Sequence, residues 1–278
     1  MPIAAVGQFC ATGDVANNAR ICCDLIQRAA KFGAEMIFLP EAADFVSSGE
    51  EESSSIMSSK EPLKFMEKIK EQAKQSKIWV SLTVHEPIDG DKKMWNTHYI
   101  INDQGKEESF YHKAHLMSMM FKEGPQMKES DSTHPGEKIG HPVQTPLGKL
   151  GLQMCYDMRF AEPAIMLRQR GAEILAYPSA FTVNTGMAHW EPLLKARAIE
   201  TQSFVIAAAQ IGQHNEKRST YGHAMIIDPW GTVIAQCPSH KNEPSIAIAN
   251  IDLDYLSQLR EEMPVIEDRR VDLYAQLG

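Results

Sequence analysis

The 278-residue sequence predicts an α/β fold of two packed, mixed sheets carrying helices on their outer faces. Three observations lead there. Short apolar runs bounded by Gly, Pro, Asp or Asn recur along the whole chain. Longer stretches with apolar residues at three-to-four spacing separate many of them. The order strand–helix–strand also gives way twice to hairpin-like pairs, which a single doubly wound parallel sheet would not contain.

In chain order the strand candidates are Ile3–Phe9, Met36–Leu39, Trp79–Val84, Thr97–Ile101, Leu150–Met154, Ile174–Tyr177, Phe204–Ala209, Ala224–Ile227, Val233–Gln236 and Ile246–Ile251. The helix candidates are Val15–Phe32, Lys60–Gln75, Glu162–Arg170, His189–Glu200 and Asp254–Glu262. Hairpin-like pairs lie within Trp79–Ile101 and His223–Ile251, the latter with the turn Asp228-Pro229-Trp230-Gly231. Gly49-Glu50-Glu51-Glu52-Ser53-Ser54-Ser55 is the most loop-like stretch, yet it is too short to separate domains. No internal repeat is present, so one domain over residues 1–278 is expected.

Composition narrows the function classes. A hydrophobic fraction of 43% suits a globular chain long enough to bury a large core. The net charge of −8 leaves no basic stripe to neutralise phosphates, which argues against a nucleic-acid partner. Five cysteines, with Cys22 and Cys23 adjacent, do not form a secreted disulfide framework and fit a reducing compartment, the cytoplasm by default. Met1-Pro2-Ile3-Ala4-Ala5-Val6 lacks the marks of a targeting peptide, though a mitochondrial form with a leader outside this sequence is compatible with it. No apolar run approaches the ~20 residues of a membrane span, so no membrane partner is expected.

Three segments can carry chemistry. Leu150-Gly151-Leu152-Gln153-Met154-Cys155 reads as a buried strand ending in a thiol, with a helix pattern resuming near Glu162. A thiol at such a turn would face helix-terminal N–H groups that favour the thiolate and can receive an oxyanion; a buried structural cysteine is the alternative. Ile37-Phe38-Leu39-Pro40-Glu41 places a carboxylate at the carboxyl end of a strand. Walled by Phe38 and Phe45, Glu41 would have a raised pKa and serve as a base, or else be a helix-terminal or solvated glutamate. Lys113 follows a further strand-like run, where a surface lysine is the alternative. The histidines show no metal-ligand pairing and the cysteines no Cys-x-x-Cys, so no metal is expected; no phosphate-binding glycine loop is present, so no nucleotide cofactor is expected. Trp190 and the apolar residues of Glu191–Ile199 read as core or subunit contact.

Taken together and in this order, Phe38-Leu39-Pro40-Glu41, Tyr111-His112-Lys113-Ala114-His115-Leu116 and Cys155-Tyr156-Asp157-Met158-Arg159-Phe160 resemble the three signature blocks of the nitrilase superfamily of carbon-nitrogen hydrolases. Tyr177-Pro178-Ser179-Ala180-Phe181, Gly186-Met187-Ala188-His189-Trp190-Glu191 and Ala196–Gln202 extend the resemblance over nearly the whole chain. Ala207–Gln210, His214–Arg218, Tyr221-Gly222-His223 and Asp228–Gly231 place it in the Nit branch. The resemblance implies a four-layer αββα sandwich. It also implies a homodimer or higher homo-oligomer, αββααββα, pairing the helices that follow Cys155 and Trp190.

It further implies an amidase with Glu41 as base, Lys113 beside the tetrahedral centre, Cys155 as nucleophile, and Glu129 orienting Lys113 and the leaving amine. Tyr156, Arg159 and Phe181 are implied as substrate contacts, with Arg159 holding a carboxylate or, alternatively, bridging to Asp157 or Glu162. The implied reaction is hydrolysis of a small amide, deaminated glutathione, to α-ketoglutarate and cysteinylglycine through a thioester. The alternatives are an ω-amidase for α-ketoglutaramate and a catalytically idle scaffold. A fragile-histidine-triad hydrolase acting in trans is the implied protein partner. Two departures from the pattern concern shape. Pro163 stands two places later than in relatives, where it still fits a first helical turn, and Met117-Ser118-Met119-Met120 replaces a more acidic segment of the substrate loop.

Overall fold

Alternation along the first strand sets the layers. In β1 (Ile3–Phe9), Ala4 and Val6 point into one apolar cluster while Ala5 and Phe9 point into another. The same two-sided burial recurs in β2 (Met36–Phe38), where Met36 and Phe38 face the first cluster and Ile37 the second. A strand buried on both faces needs a layer on each side. One side is covered by α1 (Val15–Lys31) and α3 (Glu61–Ser76), the other by a second sheet. The computed structural model describes residues 1–120, 126–239 and 243–273.

The remaining elements follow in chain order. Between α1 and α3 lies α2 (Glu50–Met57); after them come β3 (Trp79–Pro87), β4 (Met94–Ile101), β5 (Glu107–His112), β6 (Ser118–Met120), β7 (Gln126–Lys128), β8 (Val143–Thr145) and β9 (Gly148–Leu152). A 3-10 turn, Cys155–Arg159, leads into α4 (Ala161–Gln169), β10 (Ile174–Ala176) and α5 (Val183–Thr201). The chain closes with β11 (Phe204–Ala207), β12 (Ala209–Gln213), β13 (Ser219–Tyr221), β14 (Met225–Ile227), β15 (Val233–Gln236), β16 (Ser245–Asn250) and α6 (Leu253–Glu262).

The first sheet runs β13-β12-β1-β2-β3-β4-β5, with β16 antiparallel to β1, and the second runs β15-β14-β11-β10-β9-β8. α4 packs on β9 and α5 on β11 and β14, completing a helix–sheet–sheet–helix sandwich. The expected architecture therefore stands, including the hairpins β3–β4 and β14–β15 and the turn closed by Asp228. Among the described residues no helix is long and apolar enough to cross a membrane.

The differences have physical causes. Glu50–Met57 is a helix rather than the loop expected, but it buries no residue, so it has no apolar stripe to read; its three first-turn glutamates suit a helix N-terminus. α5 begins at Val183 rather than His189 because the Thr182 hydroxyl caps it by accepting from the Thr185 N–H at 3.4 Å. The run Phe204–Ala209 is not one strand: the chain leaves the second sheet after Ala207 and enters the first at Ala209, a crossing that continuous apolarity conceals. Short strands at sheet margins, such as β8 and β13, were too brief to show a period.

Topology places the site. β2 and β3 are parallel, and two antiparallel steps then bring β5 back into the direction of β2, so Glu41 and Lys113 both follow strand ends on one margin of the first sheet. Cys155 follows β9 in the facing sheet.

Candidate active site

Glu41, Lys113 and Cys155 meet although 114 residues separate the first from the last. All three are buried, which is unusual for a glutamate and a lysine. The turn after β2 puts Ala42 at φ 54°, with its N–H bonded to the Thr83 hydroxyl at 2.9 Å. Gln210 ties the same turn to the far side of the sheet. Its side-chain amide donates to Glu41 O at 2.9 Å and accepts from Ala11 N–H at 2.9 Å. Cys155 sits at φ 43°, a left-handed conformation that aims its thiol out of the strand direction.

The Lys113 ammonium donates to Glu41 Oε1 at 2.8 Å and to both oxygens of Glu129, at 2.9 and 2.8 Å. Glu129 thus occupies the position expected of the second carboxylate, and it also accepts from Met117 N–H at 2.8 Å. Two carboxylates on one ammonium leave an excess negative charge, which Asn96 moderates by donating to Glu41 at 3.0 Å and Glu129 at 3.3 Å. Among the described residues Asn96 Oδ1 is buried with no hydrogen-bond partner. The Cys155 thiol shares the cavity lining with the Glu41 carboxylate, close enough for each to shift the other's titration.

Two electrostatic expectations are corrected. Burial raises the Glu41 carboxyl, but Lys113 and the hydrogen bonds it receives outweigh this and bring it below its ordinary value. The Cys155 thiol is pushed up, not down, first by burial and then by the adjacent Glu41 charge. Its backbone N–H donates to Pro178 O at 3.0 Å, so that group is not free to draw a negative charge to the turn. The resting pair is therefore a neutral thiol against an ionised carboxylate. Lys113 is penalised by burial, yet Glu129 and Glu41 hold its ammonium well above its ordinary value.

Asp157 fixes the thiol turn against the lysine segment. Fully buried, it accepts from Met154 N–H at 3.0 Å, Tyr111 O–H at 2.9 Å and His115 N–H at 3.1 Å, and it pairs with His115 Nδ1 at 2.7 Å. Pro163 lies within the first turn of α4, so the displaced proline leaves the turn intact.

A cavity of about 220 Å³ opens on this cluster, lined by Glu41, Lys113, Glu129 and Cys155 together with Asn96, His85, Met117 and Arg218. Met117 is the one described member of the methionine-rich segment in the lining, and Phe121–Pro125 lie outside the described residues. Tyr156, Arg159 and Phe181 do not line it. Arg159 instead lies over the rings of Tyr156 and Phe181, at 5.4 and 5.3 Å, and donates to His189 Nδ1 at 3.2 Å. Neither Asp157 nor Glu162 is its partner, so the salt-bridge alternative fails. Trp190 is core: its indole donates to His223 O at 2.8 Å.

Asn96, His85, Asp157 and Arg218 escaped sequence reasoning. One signal was available for two of them: His85 and Asn96 are polar positions paired directly across the β3–β4 hairpin. Burial opposes a charge on His85, but the Asp44 carboxylate, which its Nδ1 meets at 3.0 Å, outweighs this and raises its pKa.

Helix-backed sheets with a thiol, a carboxylate and an ammonium at their strand ends describe a hydrolase of carbon–nitrogen bonds. The chain belongs to the carbon-nitrogen hydrolase family, whose sequence profile matches residues 3–261. Among its relatives is the deaminated glutathione amidase of Bos taurus, 46% identical over 100% of this chain and 85% of that protein. The crystal structure of the Caenorhabditis elegans NitFhit protein superposes with a TM-score of 0.94 at 43% identity, covering 99% of this chain and 66% of that one. A Saccharomyces cerevisiae member of branch 10 of the nitrilase superfamily superposes with a TM-score of 0.83 at 28% identity, covering 97% of this chain and 96% of that one.

Proposed function

We propose that the enzyme hydrolyses deaminated glutathione to α-ketoglutarate and cysteinylglycine, with Cys155 as nucleophile and Glu41 as general base. The buried contact of a neutral thiol with an ionised carboxylate carries this reading. Glu41 takes the thiol proton as Cys155 Sγ attacks the amide carbonyl carbon, and the oxyanion forms beside the Lys113 ammonium. Collapse breaks the C–N bond, and the departing amine takes the proton from Glu41. Water then attacks the thioester while Glu41 removes its proton; expulsion of sulfur and return of that proton to it restore the thiol. Glu129 keeps Lys113 in place and charged throughout.

The substrate assignment draws on the curated relatives, which are named for that amide. It also draws on the segment Gln210–His223, whose Gln210 and Arg218 shape the Glu41 side of the cavity. Side-by-side kinetics test it. With deaminated glutathione, kcat/KM should exceed that with α-ketoglutaramate at least ~10-fold, because contacts to the remote half of the substrate stabilise the transition state. Intact glutathione should be poor. A preference for α-ketoglutaramate would move the enzyme to the ω-amidase reading. The fusion of a matching segment with a fragile histidine triad protein in Drosophila melanogaster and C. elegans supports association with such a chain in trans.

A further inference from the structure

Arg218 is a cation whose backbone is held in place while its side chain, among the described residues, has no hydrogen-bond or ion-pair partner. It lies between β12 and β13, in a loop fixed on both flanks. Asn215 accepts from the Arg218 and Lys217 N–H groups at 3.0 Å each and donates to Ser47 O at 3.0 Å. The N–H of His214 donates to Arg218 O at 2.9 Å, and the His214 ring spans Ala11 O at 2.6 Å and Thr220 Oγ1 at 2.7 Å. Burial lowers His214 to about 4, so that ring is neutral and adds no charge to the loop.

The guanidinium at the end of this fixed backbone is half-buried and lines the same cavity as Cys155. Among the described residues no hydrogen bond or ion pair satisfies its side chain. Five N–H donors facing a cavity with no acceptor bonded to them are costly unless a ligand supplies one. Glu41 lies near enough to respond to the Arg218 charge, but no ion pair joins them, and Glu41 Oε1 already accepts from Lys113 and Asn96. An uncharged amide would leave the guanidinium unanswered; an anionic group would not.

The position of Arg218 indicates which half of the substrate it meets. Its loop is tied to Ser47 and the strand before it to the Glu41 turn, whereas Glu129 and Lys128 border the cavity from another segment, beside Lys113. A volume of about 220 Å³ is below the ~300–1,000 Å³ usual for a whole drug-sized ligand and suits an acyl group of a few carbons.

We propose that Arg218 is the specificity-determining residue of the acyl pocket, pairing with a carboxylate at the far end of the acyl chain. The enzyme would then select amides of acids carrying a second carboxylate, whatever amine leaves. This rests on the amidase reading above. Bidentate geometry makes arginine suited to the task and lysine a poor substitute.

The test compares wild type, Arg218→Gln, Arg218→Lys and Arg159→Gln on deaminated glutathione, α-ketoglutaramate and the uncharged pentanamide. Calorimetric binding of α-ketoglutarate to each protein accompanies the kinetics. Arg218→Gln should lose at least ~100-fold in kcat/KM on both carboxylate-bearing amides, with a much smaller loss on pentanamide, and should bind α-ketoglutarate correspondingly more weakly; Arg218→Lys should recover only part. Equal losses on all three amides would make Arg218 structural. A loss confined to deaminated glutathione would place its partner on the leaving group, and a charge-selective loss in Arg159→Gln alone would give the role to Arg159; each overturns the proposal. Should wild type cleave none of the amides, the amidase reading fails, and the binding of α-ketoglutarate still decides whether Arg218 is an anion anchor.

Discussion

In the proposed mechanism the Cys155 thiol depends on Glu41 for its reactivity, because burial and the neighbouring carboxylate favour its protonated form. Glu41→Gln should therefore lose at least ~10²-fold in turnover and, in parallel, slow alkylation of Cys155 by iodoacetamide. Peptide mapping decides it. Half-buried Cys10 and Cys23 should label without loss of activity, and fast labelling of Cys155 in folded Glu41→Gln would restore the self-activated thiolate. The pH profile probes the same point. Glu41 lies below its ordinary value of 4.5, so it is ionised throughout pH 5.5–8 and kcat/KM should show no rise with pH across that window. An ascending limb centred near neutrality would mean a raised Glu41 instead. The identity of these residues was legible because short motifs place them at strand ends, but their charge states were not. Those depend on Lys113, Asn96 and Pro178, which approach from other segments of the chain.

Elements matter here as clamps on the two turns. Asp157 joins the thiol turn to the segment after β5 through four contacts on one buried carboxylate. Asp157→Asn would set an amide N–H₂ against groups that are themselves donors. We expect a loss of roughly 2–4 kcal/mol in stability. Turnover should also fall with KM less affected, since Cys155 and Lys113 lose their common reference. Thermal melting and steady-state kinetics check this; an unchanged midpoint and kcat would show the network to be dispensable. Strongly periodic elements such as α1, α3 and β1 could be read from sequence nearly to their ends, because one buried face repeats along each. α2 could not, having no buried face, and the crossing between β11 and β12 could not, because burial continues without a break from Phe204 to Ile211.

At the scale of the molecule, the two-sheet sandwich was legible because hairpins and helical stretches alternate in an order that one sheet cannot hold. What covers the outer helix layer was not legible in periodicity or composition and entered only as the dimer that the family resemblance implies. α5 packs inward on β11 and β14, yet it also presents Met187 and Ile199 outward, 70% and 48% exposed. A helix apolar on both sides calls for a second layer, and we propose that α5 and α4 form a homodimer face. Sedimentation velocity should show a dimer that Met187→Glu combined with Ile199→Glu converts to monomer; a monomeric wild type would refute the proposed face. The most direct test of the whole account is intact-protein mass spectrometry of enzyme quenched during turnover of deaminated glutathione. One α-ketoglutaryl group should be found on the chain, mapped to Cys155, and it should be absent from an inactive Cys155→Ala variant. Undiminished turnover by Cys155→Ala, or an acyl group on another residue, would contradict the account.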